Sequence, residues 1–371
     1  MSEMQAILSQ FSDTALSQQL LQAVREQAQL FKEKTGRKAS FMEVCGSHTM
    51  ALAKSGIRKI LADDVEIIAG PGCPVCVTDQ KSIDAMIALA NGDNRIICTF
   101  GDMMRVPGTK ESLMDARSNG RDVRVVYAPV DAVAIAEENP EKEVVFLGIG
   151  FETTIPVLGV AIQTAIERNV PNFSMWVTTK LIEPVMRTLL DTKEVDIDAF
   201  LLPGHVAIVL GEQSFHYLVE EYNVPGVVAG FEPVELLTAV YQLLHMLNEQ
   251  KADIKNEYNF VVTKEGNKQA QRIMETYFEP VDEAWRGMGI IPKSGMDLKE
   301  EYASLNAKKR FSITPGEPRK TKCRCGEIIR GIAKPQDCVL FGKACTPLKP
   351  IGPCMVSSEG SCSAYYQYMR E

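Results

Sequence analysis

Ten cysteines form two separate groups along the 371-residue chain. Four of them lie between Cys45 and Cys98, none in the 224 residues that follow Cys98, and six between Cys323 and Cys362. In a reducing compartment, cysteines grouped in this way are typical of metal binding or redox chemistry rather than of structural disulfides. The two groups are therefore candidate sites for such chemistry.

The segment GPGCPVC, residues 70–76, holds two thiols at CxxC spacing in a glycine-rich turn. The turn follows an apolar strand candidate, and ligands bind at the carboxyl ends of strands in open parallel sheets. A helical pattern begins near Thr78, and thiols close to a helix N-terminus have a lowered pKa. Cys73 and Cys76 are therefore predicted to be a redox pair or half of a metal site. The alternative is a tight turn with small buried cysteines.

The segment CGSHT begins at Cys45, where a strand candidate ends and a helix-like segment begins. If the first two strands are neighbours in a parallel sheet, Cys45 lies near Cys73 and Cys76. His48 is a candidate to ligate a metal or to orient a thiolate, and a hydrogen-bonded structural histidine is the alternative. Cys98 lies inside an apolar strand and is predicted to be a small core residue.

Polar side chains follow three further strand candidates. GFETT places Glu152, Thr153 and Thr154 at a strand-to-helix junction, where an ordinary helix cap is the alternative to a functional role. PGHV and GFEP place His205 and Glu232 after two later strands. Because the carboxyl ends of parallel strands meet at one edge, these loops are predicted to line a cleft that faces the Cys45 region.

The second cysteine group lies in a segment with so little apolar periodicity that a bound metal would have to stabilise it. Its spacing lacks the two close CxxC knuckles of structural zinc sites and the tight runs of ferredoxin-type clusters. Widely spaced thiols can hold an iron–sulfur cluster from several loops, so iron–sulfur is favoured over zinc by a small margin. The six cysteines are Cys323, Cys325, Cys338, Cys345, Cys354 and Cys362.

Short apolar runs alternate with helical patterns from about residue 39, which predicts parallel sheets with right-handed crossovers. Strand candidates begin at residues 40, 65, 95 and 123, and again at 144, 174, 199 and 226. The two sets have similar lengths, so we predict an α/β fold of two similar domains, each with a small parallel sheet flanked by helices. The predicted segments are N-terminal helices at 1–37, α/β domains at 38–140 and 141–250, and an iron–sulfur domain at 251–371. The N-terminal helices are candidates to pack on the iron–sulfur domain.

The composition is that of a globular protein, with 45% hydrophobic and 24% charged residues. A formal net charge of −8 argues against the broad basic face of a nucleic-acid-binding protein. No apolar stretch reaches membrane-spanning length, and the N-terminus lacks the features of a secretory signal. We therefore expect a cytoplasmic protein with neither nucleic acid nor a membrane as its partner.

The motifs CGSHT, GPGCPVC, GFETT and PGHV, followed by the terminal cysteines, together resemble the hydrogenase maturation factor HypD family over nearly the whole chain. The family pattern for its [4Fe–4S] ligands is Cys-x14-Cys-x6-Cys-x16-Cys. Cys323, Cys338, Cys345 and Cys362 fit every gap of that pattern. The resemblance therefore implies a [4Fe–4S] cluster on these four residues and leaves the other two C-terminal cysteines as non-ligands.

The resemblance implies a scaffold with redox activity rather than a conventional turnover enzyme. Members of the family pair with a small chaperone, HypC, and hold the iron on which the Fe(CN)2CO group of [NiFe]-hydrogenase is assembled. HypE donates the cyanide, and the hydrogenase large subunit is an indirect partner. Carried over, Cys45 is the leading ligand of a transient mononuclear iron carrying cyanide and CO, with His48 beside it. Cys73 and Cys76 complete this second-iron site as a dithiol–disulfide pair, to which the cluster relays electrons.

The resemblance also assigns functional roles to the GFETT residues and to His205, but two positions depart from the family pattern. Met50 stands where a second histidine is usual, and Ala207 stands where serine usually follows PGHV, which leaves the role of His205 open. One alternative is an iron–sulfur-linked thiol–disulfide reductase that acts on a protein partner and holds no second iron. Another is a zinc-stapled binding module. A generic α/β enzyme is disfavoured because no phosphate-binding glycine motif or nucleophile elbow occurs.

Overall fold

The computed structural model describes residues 14–318 and 320–369. Within these ranges, nine strands form two parallel sheets and two more form an antiparallel hairpin. The strands are β1 (Ala39–Glu43), β2 (Val65–Ala69), β3 (Arg95–Thr99), β4 (Asp122–Val125), β5 (Glu143–Gly150), β6 (Phe173–Thr179), β7 (Ala199–Pro203), β8 (Gly226–Ala229), β9 (Ile254–Asn256), β10 (Phe278–Trp285) and β11 (Gly289–Leu298).

Helices connect the strands and cover the sheets. The α-helices are α1 (Thr14–Thr35), α2 (Gly46–Lys54), α3 (Ile57–Ile60), α4 (Pro74–Val77), α5 (Gln80–Ala90), α6 (Leu113–Ser118), α7 (Pro129–Glu138), α8 (Ile155–Glu167), α9 (Ile182–Thr192), α10 (Gly204–Leu210), α11 (Tyr217–Glu220), α12 (Pro233–Asn248), α13 (Lys268–Tyr277), α14 (Ala307–Arg310), α15 (Cys325–Ile328) and α16 (Ser361–Tyr368). Short 3-10 helices occur at Gly101–Arg105, Glu212–Phe215, Glu300–Leu305, Pro335–Asp337 and Pro353–Met355.

The first sheet has the strand order β2-β1-β7-β8-β9, and the second has the order β4-β3-β5-β6. All of their pairings are parallel. Strands β1, β6, β7 and β8 are buried at every position. Such strands need apolar residues on both faces, because helices cover both sides of a parallel sheet. The predicted fold class, α/β with two parallel sheets flanked by helices, is confirmed.

The prediction that each sheet comes from one continuous half of the chain is wrong. The first sheet combines β1 and β2 with β7, β8 and β9, and the second is built from β3 through β6. The sheets therefore do not divide at residue 140, because the chain leaves the first sheet after β2 and returns to it after β6. Strand spacing does not encode pairing between strands as distant in sequence as β1 and β7.

The N-terminal helix α1 packs on the first sheet, whereas the sequence suggested the C-terminal domain. Leu21, Val24 and Phe31 are buried in one apolar core with α12 and the outer face of β1. The Lys34 ammonium donates to the carbonyl oxygen of Asn248 at 2.8 Å, which ties the end of α1 to the end of α12. Residues 1–13 of the predicted N-terminal helices lie outside the described residues.

The C-terminal third contains a hairpin that the sequence analysis did not predict, formed by β10 and β11. Strand β9 ends at Asn256, and turns follow it. From residue 312 the chain has few regular elements until α16, which packs against α2 of the first sheet. No helix in the described part of the chain has the length and apolarity that crossing a membrane requires.

Candidate functional site

Cys45 lies where β1 gives way to α2, directly against the turn that carries the CxxC pair. It is the residue before the helix, with extended backbone angles. Because β1 and β2 pair in parallel, the loops that follow them run side by side. The Gly46 N–H donates to the Gly72 carbonyl at 3.2 Å, and the Gly70 N–H donates to the Glu43 carbonyl at 2.8 Å. A side-chain carbon on Gly72 would lie only 2.4 Å from the Cys45 nitrogen, so the close approach requires glycine.

Cys73 and Cys76 form a disulfide in this structure. Cys73 caps the four-residue helix α4, which begins earlier than the helix predicted near Thr78, and its sulfur accepts from the Cys76 N–H at 3.3 Å. Helix α5 follows, with the Asp79 carboxylate accepting from the Lys81 N–H at 2.6 Å. Helix α4 packs against β5 of the second sheet. The disulfide therefore lies between the two sheets.

Burial controls the chemistry of the Cys45 thiol. The residue is 8% exposed, and burial raises the pKa of its thiol to about 12. The backbone N–H groups of Ser47 and His48 act in the opposite direction and lower the pKa, but burial prevails. The sulfur is therefore protonated at neutral pH, and a cation bound to it would favour its conversion to the thiolate.

A buried ion pair lies beneath Cys45, between Glu43 and Arg58, with the two side chains 0% and 5% exposed. The Glu43 carboxylate accepts from Arg58 at 3.1 Å, from the Thr49 hydroxyl at 2.6 Å and from the Cys45 N–H at 3.4 Å. Burial raises the pKa of Glu43 to about 7, although the Arg58 charge opposes the shift. The sequence analysis missed this pair. A glutamate inside an otherwise apolar strand is the signal that could have indicated it.

His48 and His205 both pack against the ring of Phe231. Phe231, which follows β8, has its ring centroid 4.8 Å from that of His48 and 4.1 Å from that of His205. The His48 Nε2–H donates to the carbonyls of Gly230 at 3.0 Å and Ala229 at 3.2 Å, and burial lowers the pKa of His48 to about 4. Its buried Nδ1 has no hydrogen-bond partner within the described residues. His48 is therefore neutral and presents an unprotonated nitrogen.

The C-terminal segment folds over the Cys45 loop. The Ser47 hydroxyl donates to the Glu359 carboxylate at 2.9 Å, and burial raises the pKa of that carboxyl. The Ser357 hydroxyl donates to the Asp102 carboxylate at 3.1 Å, which fixes the segment to the loop after β3. A cleft of about 570 Å³ opens beside α2, and Met50 is among the residues that line it. The second cysteine group is thus brought next to the first.

The GFETT residues lie at the end of β5, in the second sheet. Glu152 is buried, and its Oε1 accepts from the Ile182 N–H at 2.7 Å. Its Oε2 has no hydrogen-bond partner in the ranges that the structure describes, and burial raises its pKa to about 7. Thr153 is exposed, whereas Thr154 precedes α8 without making a side-chain cap. Glu152 is therefore a buried carboxyl poised to change protonation near neutral pH.

All six C-terminal cysteines line one apolar cavity, together with Ile328, Leu340, Phe341 and Met355. Five of the six are buried, and Cys323 is partly exposed. The sulfurs of Cys325 and Cys354 lie 2.7 Å apart, a contact that the sequence did not reveal. Cys98, by contrast, is fully buried within the core of the second sheet.

The thiol donors that line this cavity are of the kind that holds an iron–sulfur cluster. Gly352 forms part of the wall, where a side-chain carbon would lie 2.6 Å from the Cys323 sulfur and fill the space. No three His, Cys, Asp or Glu side chains of the described residues converge on one point as a single metal ion requires. A cubane cluster has one cysteine on each iron, so its four ligands stand apart. Soft thiols around an apolar space are the surroundings that such a cluster needs.

Arg286 connects the CxxC segment with the cysteine cavity. Its Nε donates to the Cys76 carbonyl at 3.1 Å, and its Nη1 donates to Gln80 at 3.2 Å. Its charge also helps to lower the pKa of Cys325 inside the cavity, although the hydrogen bonds from neighbouring thiols have the larger effect. The sequence offers no signal for this residue, because the hairpin that carries it was not predicted.

The structure combines an α/β fold with a strand-end cysteine, a CxxC disulfide and a cavity lined by six cysteines. The chain matches the HypD family model, described as the hydrogenase formation hypA family, over residues 15–369. It is 42% identical to hydrogenase maturation factor HypD of Escherichia coli (strain K12) over 358 residues, 95% of each chain. The chain belongs to this family, and the resemblance predicted from the motifs is confirmed.

Relatives from other bacteria align over similar lengths. The chain is 41% identical to hydrogenase maturation factor HypD2 of Bradyrhizobium diazoefficiens over 372 aligned positions, which cover 97% of this chain and 96% of the relative. It is 40% identical to hydrogenase maturation factor HypD of Cupriavidus necator over 373 positions, which cover 98% and 97%. Both cysteine groups lie within residues 15–369, the range that the family model matches.

Proposed function

We propose that this protein is a scaffold for assembling the Fe(CN)2CO group of [NiFe]-hydrogenase. The iron under assembly is its substrate, and Cys45 is the residue that holds it. A HypC-type small chaperone shares the iron, a HypE-type protein donates the cyanide, and the hydrogenase large subunit receives the finished group. The observation that carries the proposal is the position of Cys45, which adjoins the CxxC turn on one side and the folded-over C-terminal segment on the other.

The surroundings of Cys45 suit a transient iron. Its thiol is protonated when no metal is bound, so iron binding releases a proton. Protonation of the sulfur, or exchange with another ligand, then releases the iron. Soft thiolate ligands suit iron that carries strong-field ligands. The unprotonated Nδ1 of His48 can serve as a second ligand of the iron or accept a proton. The buried Glu43–Arg58 pair keeps the backbone at Cys45 in place.

The Cys73–Cys76 disulfide is the proposed redox element next to this iron. Its reduction takes two electrons and two protons, breaks the S–S bond and yields two thiols. Cys323, Cys338, Cys345 and Cys362 would hold the [4Fe–4S] cluster. That cluster, when bound, supplies one-electron chemistry. Arg286 donates to the Cys76 carbonyl, and its positive charge acts on Cys325 in the cavity.

A thiol–disulfide reductase is the second candidate, because the CxxC pair is already a disulfide. The two functions differ at Cys45, which a reductase acting through Cys73 and Cys76 does not need. Cells that lack their own factor of this family should regain hydrogenase activity with the wild-type chain but not with Cys45→Ala.

Cys98→Ala is the matched control for this experiment, since Cys98 is also a buried cysteine but lies in the core of the second sheet. It should restore hydrogenase activity. Circular dichroism and urea unfolding of both variants should match the wild type. A folded Cys45→Ala variant that fully restores hydrogenase activity would refute the scaffold and favour the reductase.

A further inference from the structure

The chain around the cysteine cavity carries a charge opposite to that of the whole protein. Residues 318–350 contain eight Lys or Arg and two Asp or Glu, in a chain of formal net charge −8. Three of these cations are tied in ion pairs, namely Arg324–Glu327, Arg330–Glu194 and Lys334–Glu66. Exposed lysines at 320, 322, 343 and 349 form no ion pair with any residue that the structure describes. An unneutralised basic patch therefore stands on an otherwise acidic protein.

Three of these lysines are exposed and lie close in sequence to cysteines that line the cavity. Lys322 immediately precedes Cys323, the one cavity cysteine in the described chain that is partly exposed. Lys343 and Lys349 flank Cys345, whose sulfur accepts from the Ile351 N–H at 3.3 Å. The two chain segments meet at Gly352, which lies against the Cys323 sulfur. The lysines are therefore concentrated where the cavity comes nearest to solvent.

Two large apolar side chains are exposed beside the lysines. Val339 is 62% exposed and Leu348 is 94% exposed. Leu348 is held at the tip of a tight turn, because Thr346 and Lys349 exchange backbone hydrogen bonds of 3.2 and 3.0 Å. The Arg105 guanidinium also donates to the Pro347 carbonyl and anchors this turn. We call Lys322, Val339, Lys343, Leu348 and Lys349 the cavity rim. Exposed apolar side chains among charged ones are typical of a protein interface.

We propose that the cavity rim docks a small acidic protein that carries one electron at a time. Unpaired lysines attract such a partner, whereas the acidic remainder of the chain repels it. The electric field of the protein therefore orients the partner toward the cavity rim. The apolar side chains then supply short-range contact. An electron carrier fits this position because the rim residues adjoin, along the chain, cysteines that line the cavity, and Cys323 among these is partly exposed. The inference rests on the proposed function, in which those thiols hold a one-electron centre.

The electron balance requires two docking events for each disulfide. Two molecules of reduced carrier are oxidised in turn, and each delivers one electron. With two protons from water, these electrons break the Cys73–Cys76 bond and leave two thiols. A carrier that dissociates rapidly suits this sequence, and charge-steered association provides fast encounter with modest affinity.

Association kinetics test the docking surface directly. The probe is an acidic plant-type [2Fe–2S] ferredoxin, applied to the protein purified without oxygen. The variant Lys322→Glu/Lys343→Glu/Lys349→Glu should associate at least about tenfold more slowly at low ionic strength. The difference should vanish near 1 M salt, where the screening length falls to about 3 Å. Leu348→Ser should raise the dissociation rate and leave the association rate unchanged.

A charge-matched variant distinguishes the effect of the rim lysines on the association rate from the effect of the net charge. Lys110, Lys251 and Lys264 are exposed lysines outside the rim, and their replacement by glutamate changes the total charge by the same amount. This control should associate nearly as fast as the wild type. Equal slowing in the two triple variants would overturn the proposal. So would a single-stranded oligonucleotide that binds the rim more tightly than the ferredoxin and displaces it.

Chemical reduction distinguishes failure of this inference from failure of the proposed function. Dithionite with a viologen mediator delivers electrons without docking, and alkylation with mass spectrometry then counts the thiols at Cys73 and Cys76. The rim variant should reach the wild-type thiol count with dithionite and fall behind it with ferredoxin. Equal rates with ferredoxin would refute the rim and leave the redox pair intact. A wild-type disulfide that stays closed with dithionite would refute the redox pair itself.

Discussion

Replacing Gly72 with alanine tests the contact on which the Cys45 site depends. The added carbon would lie 2.4 Å from the Cys45 nitrogen, 2.5 Å from its Cα and 2.6 Å from its carbonyl carbon. Nonbonded carbon atoms prefer a separation of about 3.5–4.0 Å. One of the two backbone segments therefore has to move by about 1 Å. Neither can rotate aside as the end of a flexible side chain can.

The expected penalty follows from this geometry. Overpacking a buried region costs about 1–3 kcal/mol, and contact with three backbone atoms places Gly72→Ala at the upper end. We expect its free energy of unfolding to fall by about 3 kcal/mol. Hydrogenase maturation should fall as well, because the shift separates Cys45 from the CxxC turn. Urea unfolding under oxygen-free conditions, followed by the fluorescence of the two tryptophans, measures the change in stability.

Gly101→Ala provides the matched control. The nearest atom to its added carbon is Cγ1 of Val125, at an ordinary 3.8 Å. Its free energy of unfolding should stay within about 0.5 kcal/mol of the wild type. If Gly72→Ala unfolds at the same urea concentration as Gly101→Ala and supports full maturation, the close approach of the two cysteine segments is not what shapes the site.

Two further predictions concern Glu152 and the cavity wall. Because burial raises the pKa of Glu152 to about 7, above about 4.3 in the unfolded chain, folded protein binds the proton more tightly. The free energy of unfolding therefore falls as the pH rises to about 7. In urea unfolding, Glu152→Gln should reduce this fall between pH 5 and pH 8 by up to about 3 kcal/mol. A fall of the same size in the variant and the wild type would contradict this prediction. Gly352→Ala, whose added carbon lies 2.6 Å from the Cys323 sulfur, should retain less iron and sulfide after anaerobic reconstitution, whereas Gly316→Ala, with no atom within 4 Å, should retain the wild-type amount. Equal contents in these two variants would show that the cavity wall does not fix the cluster.

Strands could be predicted from the sequence because burial on both faces leaves an unmistakable apolar run. Gly226–Ala229, for example, is buried at every position and forms a strand at the predicted residues. The partners of these strands could not be predicted, since β1 pairs with β7 across more than 150 residues and no local pattern records that contact. The expected duplication therefore failed even though its strands exist.

The chemistry of the site was only partly visible in the sequence. Cysteine spacing and strand-end loops indicated Cys45 and the CxxC turn, because such positions depend on local structure. The Glu43–Arg58 pair and the hydrogen bonds of Arg286 depend on tertiary packing, and so does the meeting of two histidines on Phe231. Such contacts join residues from different elements, so only the folded chain reveals them.

An infrared spectrum of the protein purified without oxygen, together with its small chaperone partner, tests the central claim most directly. The scaffold account predicts bands of metal-bound cyanide and carbonyl in the wild type and in Cys98→Ala, and their loss in Cys45→Ala. Bands that persist in Cys45→Ala would contradict the account. So would their absence from wild-type protein that holds cluster iron and sulfide and comes from cells able to supply both ligands.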